Sequence, residues 1–168
     1  MKFEITTLEE VLTMYACLTT PNVDNECFRK IIFYLRQTLL ETEQFPEALQ
    51  ETMCIAASNA GICGQTDVAV HLMRFLDGDR KYTVGTSLVE NYVDIEWYLA
   101  TLSQTNTFIN LLDFVCMQTH NIRAVDQITD MIPAVTRKQQ EKLHSIISSM
   151  ENTTPFEMDA RDLIENLL

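Results

Sequence analysis

The chain has 168 residues and a mass of 19.3 kDa, 46% of them hydrophobic and 21% charged, enough to build one globular core without disulfides or a structural metal. Four glycines and four prolines are too few turn formers for an all-β fold. Twelve Lys and Arg against 24 Asp and Glu leave a net charge of −12, which opposes binding to DNA, RNA or an anionic membrane surface and suits a basic partner or plain solubility.

Helix signals run through the whole sequence in order. Thr7-Leu8-Glu9-Glu10 is a capping box, in which hydroxyl and carboxylate satisfy free amides at a helix start. It opens a segment with Leu8, Val11, Leu12, Tyr15 and Leu18 on one face. Thr20-Pro21 precedes a second helix with Phe28, Ile31, Ile32, Leu35 and Leu39. Phe45-Pro46-Glu47 opens a third, carrying Leu49, Met53, Ala56, Ala57 and Ala60. Gly64-Gln65-Thr66-Asp67 closes it and starts a fourth, with Val68, Leu72, Phe75 and Leu76, stopped by Gly78. The residues from Asp77 to Thr86 read as the longest loop and the mobile piece of the chain. Ser87-Leu88-Val89-Glu90 reads as a second capping box, opening a fifth helix that carries Tyr92, Val93, Leu99 and Leu102.

The sixth segment, Phe108 to Cys116, is apolar nearly all round and is expected to be surrounded by other helices. The seventh, with Ile122, Val125, Ile128 and Ile132, is ended by Pro133. Thr136-Arg137-Lys138-Gln139 caps an eighth, with Leu143, Ile146, Ile147 and Met150. Thr154-Pro155-Phe156-Glu157 opens the last, with Phe156, Ala160, Leu163, Ile164 and Leu167. No alternating strand stands out. The pattern predicts an all-α single domain over residues 1–168, about nine short helices in a compact multi-helix bundle. Pairs of helices recur every 33 to 42 residues or so, which makes a short α-solenoid the alternative.

Chemistry is harder to find. The five cysteines, Cys17, Cys27, Cys54, Cys63 and Cys116, are odd in number and irregular in spacing, as buried thiols in a reducing compartment are. No signal peptide precedes the first helix, and no apolar run approaches the roughly 18 residues of a membrane span, so a cytoplasmic or nuclear protein is expected. His71, His120 and His144 form no helical metal pair, and Cys54, Cys63 and His71 match no zinc spacing. Cys63, between Gly61 and Gly64, reads as part of a helix end. Asp77-Gly78-Asp79 opens like a calcium loop, but Tyr82 and Leu88 stand where that loop needs Gly and Glu, and a helix stop is the better reading. No phosphate-cradling or nucleophile-elbow motif is present. Arg123, Arg137, Lys138 and Lys142 read as a solvated helix face, and Asn152-Thr153-Thr154 is a glycosylation sequon without meaning inside a cell.

These readings point to a non-enzymatic module that binds another protein as adaptor, inhibitor or regulator, without cofactor or metal. Trp97 and Tyr98 are adjacent on one helix, so either one points away from the core and anchors an interface or both are buried where helices cross. The last helix offers Phe156, Leu163, Ile164 and Leu167, either to its own domain, the preferred reading, or to a partner's groove. A small enzyme with a dispersed Cys/His or carboxylate site, and a self-assembling structural subunit, are the alternatives.

Overall fold

The computed structural model describes residues 47–168. The first two predicted helices, with Thr7, Thr20-Pro21, Cys17 and Cys27, lie outside this range. The described residues hold eight α-helices and no strand. They are α1 (Glu47–Ile62), α2 (Thr66–Met73), α3 (Gly78–Glu90), α4 (Glu96–Leu99), α5 (Thr105–Phe114), α6 (Ile122–Met131), α7 (Arg137–Ser149) and α8 (Pro155–Glu165). A π-helical turn, Val115–Thr119, continues α5. The chain divides into two compact units between Val84 and Gly85.

In the first unit α1 packs against α2. Small residues suit close packing, and Ala56, Ala57, Ala60 and Ala69 are buried, as are Met53, Leu72 and Met73. Gly64 takes a left-handed φ of 83°, a conformation that costs glycine nothing, and turns the chain from α1 into α2 as its sequence predicts.

The segment read as a loop from Asp77 to Thr86 is instead the start of a helix. Asp77 is the reason. Its Oδ1 accepts the Arg80 backbone N–H at 2.9 Å, and this hydrogen bond holds the Asp77 carboxyl below the usual carboxylate range. Asp77-Gly78-Asp79 is therefore a helix start and not a stop, with an aspartate as cap. The Arg80 guanidinium reaches back to Asp77 and to Glu51 on α1, at 2.9 Å from the latter, tying the start of α3 to α1. Ser87, read as a cap, lies in the last turn of α3, and the helix predicted to run from there to Leu102 breaks after Glu90.

In the second unit α6 touches α4, α5 and α8, and α5 touches α7. Packing round a shared core in this way is that of a bundle, not of repeats stacked only on their neighbours. Phe108, Ile109, Leu111, Leu112, Val115 and Cys116 are all buried, as the all-round apolar pattern of α5 requires. Capping boxes at Thr136 with Gln139 and at Thr154 with Glu157 start α7 and α8 as expected. The last helix docks on its own unit, against α6 and α7, through Ala160 and Ile164.

Glu157 does more than cap. Its carboxylate accepts the backbone N–H groups of Glu151 at 2.7 Å, Asn152 at 3.2 Å and Thr154 at 3.2 Å, and the Thr154 hydroxyl at 2.9 Å. The Thr154 hydroxyl, then the Glu151, Thr153 and Asn152 amides, bring its pKa down to about 2. A lowered folded pKa gives stability that is complete above the unfolded value of 4.5 and lost as pH falls toward 2. Glu157→Gln is expected to remove that acid-dependent part. Amide exchange in α8, followed from pH 5 to about pH 2.5, should then become less pH-sensitive than in the wild type once the intrinsic rate is subtracted.

Candidate functional site

The most unusual local structure lies in the second unit, where three chain reversals meet. The first is the end of α3. The Tyr92 N–H donates to Val89 O at 3.3 Å and the Val93 N–H to Leu88 O at 3.4 Å. That pairing is the Schellman closure of a helix, whose left-handed position is ordinarily glycine. Here Tyr92 fills it, with φ at 54°. Ser87 O accepts both the Asn91 backbone N–H at 3.2 Å and the Asn91 side-chain amide at 2.7 Å, which adds a second bond at the helix end. Asp94 then takes the Glu96 N–H at 2.9 Å and begins α4.

The second reversal follows the π turn. The His120 N–H reaches back to Val115 O at 2.9 Å, and His120 itself is left-handed at φ 51°. Asn121 comes next and is buried. Its Oδ1 accepts the Ala124 N–H at 3.2 Å to cap α6, and its Nδ2 donates to Val89 O at 3.3 Å, fastening this reversal to the end of α3. The Tyr92 hydroxyl donates to Thr119 O at 2.7 Å and joins the same two segments from outside. The third reversal is the start of α8, where the Phe156 ring lies 5.1 Å from the His120 ring.

Apolar surface collects at this corner. Tyr92 is 62% exposed and Ile122 is 37% exposed, with His120 exposed and Phe156 half-buried. Each bulky left-handed residue costs about 1–2 kcal/mol against the ordinary conformation. A π turn followed by a left-handed residue is a form of irregularity often found at functional sites. No protein-family model, no curated protein and no solved structure matches this chain. The corner therefore has to be read from its own geometry.

The residues singled out from the sequence fall in different places. Tyr98 is fully buried, against Gly85, so it is the inward one of the aromatic pair, and Trp97 stands edge-on to it at 6.3 Å, half-buried. Ile164 is in the core, and Leu163 and Leu167 are half-buried on α8. Only Phe156 belongs to the corner. Nothing in the sequence marks Tyr92, His120 and Ile122 as contact residues, because its pattern assigns Tyr92 to the apolar stripe of a helix that in fact ends two residues earlier.

Other places offer less. A shallow cleft of about 320 Å³ between α5 and α7 is lined by Asn110, Asp113, Lys142, Ser145 and Ser149 over Ile109 and Ile146. Its charged groups are solvated and spread along two regular helices. Burial raises the Cys54 thiol to about 11 and the Cys116 thiol to about 12, so neither is a thiolate nucleophile at neutral pH. Among the described residues no group of three His, Cys, Asp or Glu side chains could hold a metal ion, and no helix is long and apolar enough to cross a membrane.

Proposed function

We propose that this chain is a non-enzymatic protein-binding module whose contact surface includes the corner of Tyr92, His120, Ile122 and Phe156. One observation carries the reading. Tyr92 occupies a glycine position, pays for it in backbone conformation, and leaves most of its ring in solvent. Folding gains little from such a residue, whereas an exposed, rigidly held tyrosine is what an interface anchor requires. The frame is stiff as well, because buried Asn121 fixes the two left-handed turns to each other.

Tyr92→Gly separates the two roles. It relieves the left-handed conformation while giving up the exposed hydrogen bond to Thr119, so stability is expected to stay within about 1 kcal/mol of the wild type. Binding is expected to fall. Partners would be captured from a matched cell lysate on wild-type protein and on Tyr92→Gly, with thermal unfolding of both as a control. A dominant partner held by the wild type and lost by the variant supports the reading. Equal capture by two equally stable proteins removes Tyr92 from the contact surface, and no enriched partner on the wild type counts against the module itself.

A further inference from the structure

We infer that the corner is built for a basic segment of a partner protein, a short stretch with an apolar or aromatic anchor flanked by Lys or Arg. This rests on the corner being a contact surface, and it adds the chemistry of what binds there. The argument is one of charge. From Gly85 to Leu168 the sequence has twelve carboxylates against five Lys and Arg side chains. Three of those five, Arg137, Lys138 and Lys142, are on α7, which contributes none of the corner residues. The two of those five that lie on elements forming the corner are already engaged: Arg123 pairs with Asp94 at 3.4 Å, and Arg161 with Glu165 at 3.4 Å.

Three other carboxylates at the corner are not balanced in this way. Glu90 lies two residues before Tyr92, Asp126 is one turn along α6 from Ile122, and Asp159 follows Phe156 on α8; all three are exposed, whereas Asp94, two residues after Tyr92, is already held by Arg123 and Gln127. Aromatic and aliphatic surface is thus set among negative charge. An acidic or neutral apolar segment would desolvate these carboxylates without compensation, whereas a basic one would pair with them and place its anchor on the Tyr92–Phe156 surface.

The test uses the whole 168-residue chain, labelled with nitrogen-15, and three synthetic twelve-residue peptides. One has lysines around a central Phe-Leu pair, the second has glutamates in place of the lysines, and the third keeps the lysines but replaces Phe-Leu with Ser-Ser. The expected result is that only the first shifts the amide signals of Tyr92, His120, Ile122 and Phe156 at low micromolar to millimolar concentration. Its affinity should fall about fivefold or more between 50 and 300 mM salt, as partly exposed charge pairs do. It should weaken about tenfold in Tyr92→Gly and severalfold in Glu90→Lys. Equal binding of the glutamate peptide at the corner overturns the basic partner while leaving the contact surface standing. Equal binding of the Ser-Ser peptide reduces the effect to unspecific charge and overturns it too. Absence of any shift at the corner, or shifts confined to α5 and α7, also overturns it, and the lysate comparison with Tyr92→Gly then decides separately whether the corner is a contact surface at all.

Discussion

Phe108→Ala is expected to cost about 3–5 kcal/mol, the range for truncating a fully buried phenylalanine. Phe108 is 1% exposed and sits near the start of α5, among the largest of the fully buried side chains. A loss of that size is a large part of the roughly 5–15 kcal/mol by which a domain is stable. α5 touches both α6 and α7, so the cavity would loosen three helices together. The signature is therefore regional as well as global. Amide exchange should accelerate across α5, α6 and α7 in the variant, and urea unfolding should shift to lower concentration with its slope unchanged. A change confined to the first turn of α5 would show that Phe108 packs locally and not as the centre of the unit.

Gly85→Ala should be the second most damaging of the substitutions considered. In the middle of a helix this exchange normally helps, by about 1 kcal/mol. Here the new methyl group would run into the phenol of Tyr98, meeting its ring carbon Cζ at 2.7 Å and its hydroxyl oxygen closer still. Tyr98 has no exposed surface and cannot swing away. Overpacking of this kind costs up to about 3 kcal/mol, so the net expectation is a loss of about 2 kcal/mol. Because the hydroxyl is the nearest atom, Tyr98→Phe should soften the effect, and the double variant should be more stable than the sum of the two singles. Strict additivity in thermal unfolding would mean that α3 shifts as a body and that Gly85 is not a contact residue.

The same two residues show what the sequence could and could not disclose. That α5 would be enclosed, that Thr136 and Thr154 would cap helices, and that the last helix would dock on its own unit all follow from side-chain chemistry acting within a few residues. The middle of the chain was legible only in part. Ser87-Leu88-Val89-Glu90 has the spacing of a helix start, and Asp77-Gly78 has the composition of a stop, yet each does the opposite. Both signals are ambiguous because a cap is defined by which amides lack partners, and that depends on where the helix already is. Gly85 offered no clue, since its neighbour Tyr98 is thirteen residues away across a chain reversal. The corner was invisible for a different reason. A left-handed tyrosine and a π turn have no pattern of hydrophobicity, and the periodic stripe that includes Leu88, Val89, Tyr92 and Val93 argues for a continuing helix.

The π turn also sets how this protein can change over time. Such a turn is one residue more than an α-helix needs, so it marks a place where chain length, not residue type, carries the information. Substituting Met117 or Gln118, neither of them fully buried, leaves the count intact. Rewinding the same five residues as an ordinary α-helix would rotate everything after them by about 100° relative to α5, whereas deleting one of them along with the wide turn would not. With that rotation His120 would leave Phe156, and Asn121 could no longer reach both Val89 and Ala124. Descendants of this sequence should therefore drift in letters between Val115 and Thr119 as long as the wide turn is kept, and should lose one of these residues only together with that turn. A lineage that has lost one should show ordinary helical winding here and keep the tyrosine at the glycine position.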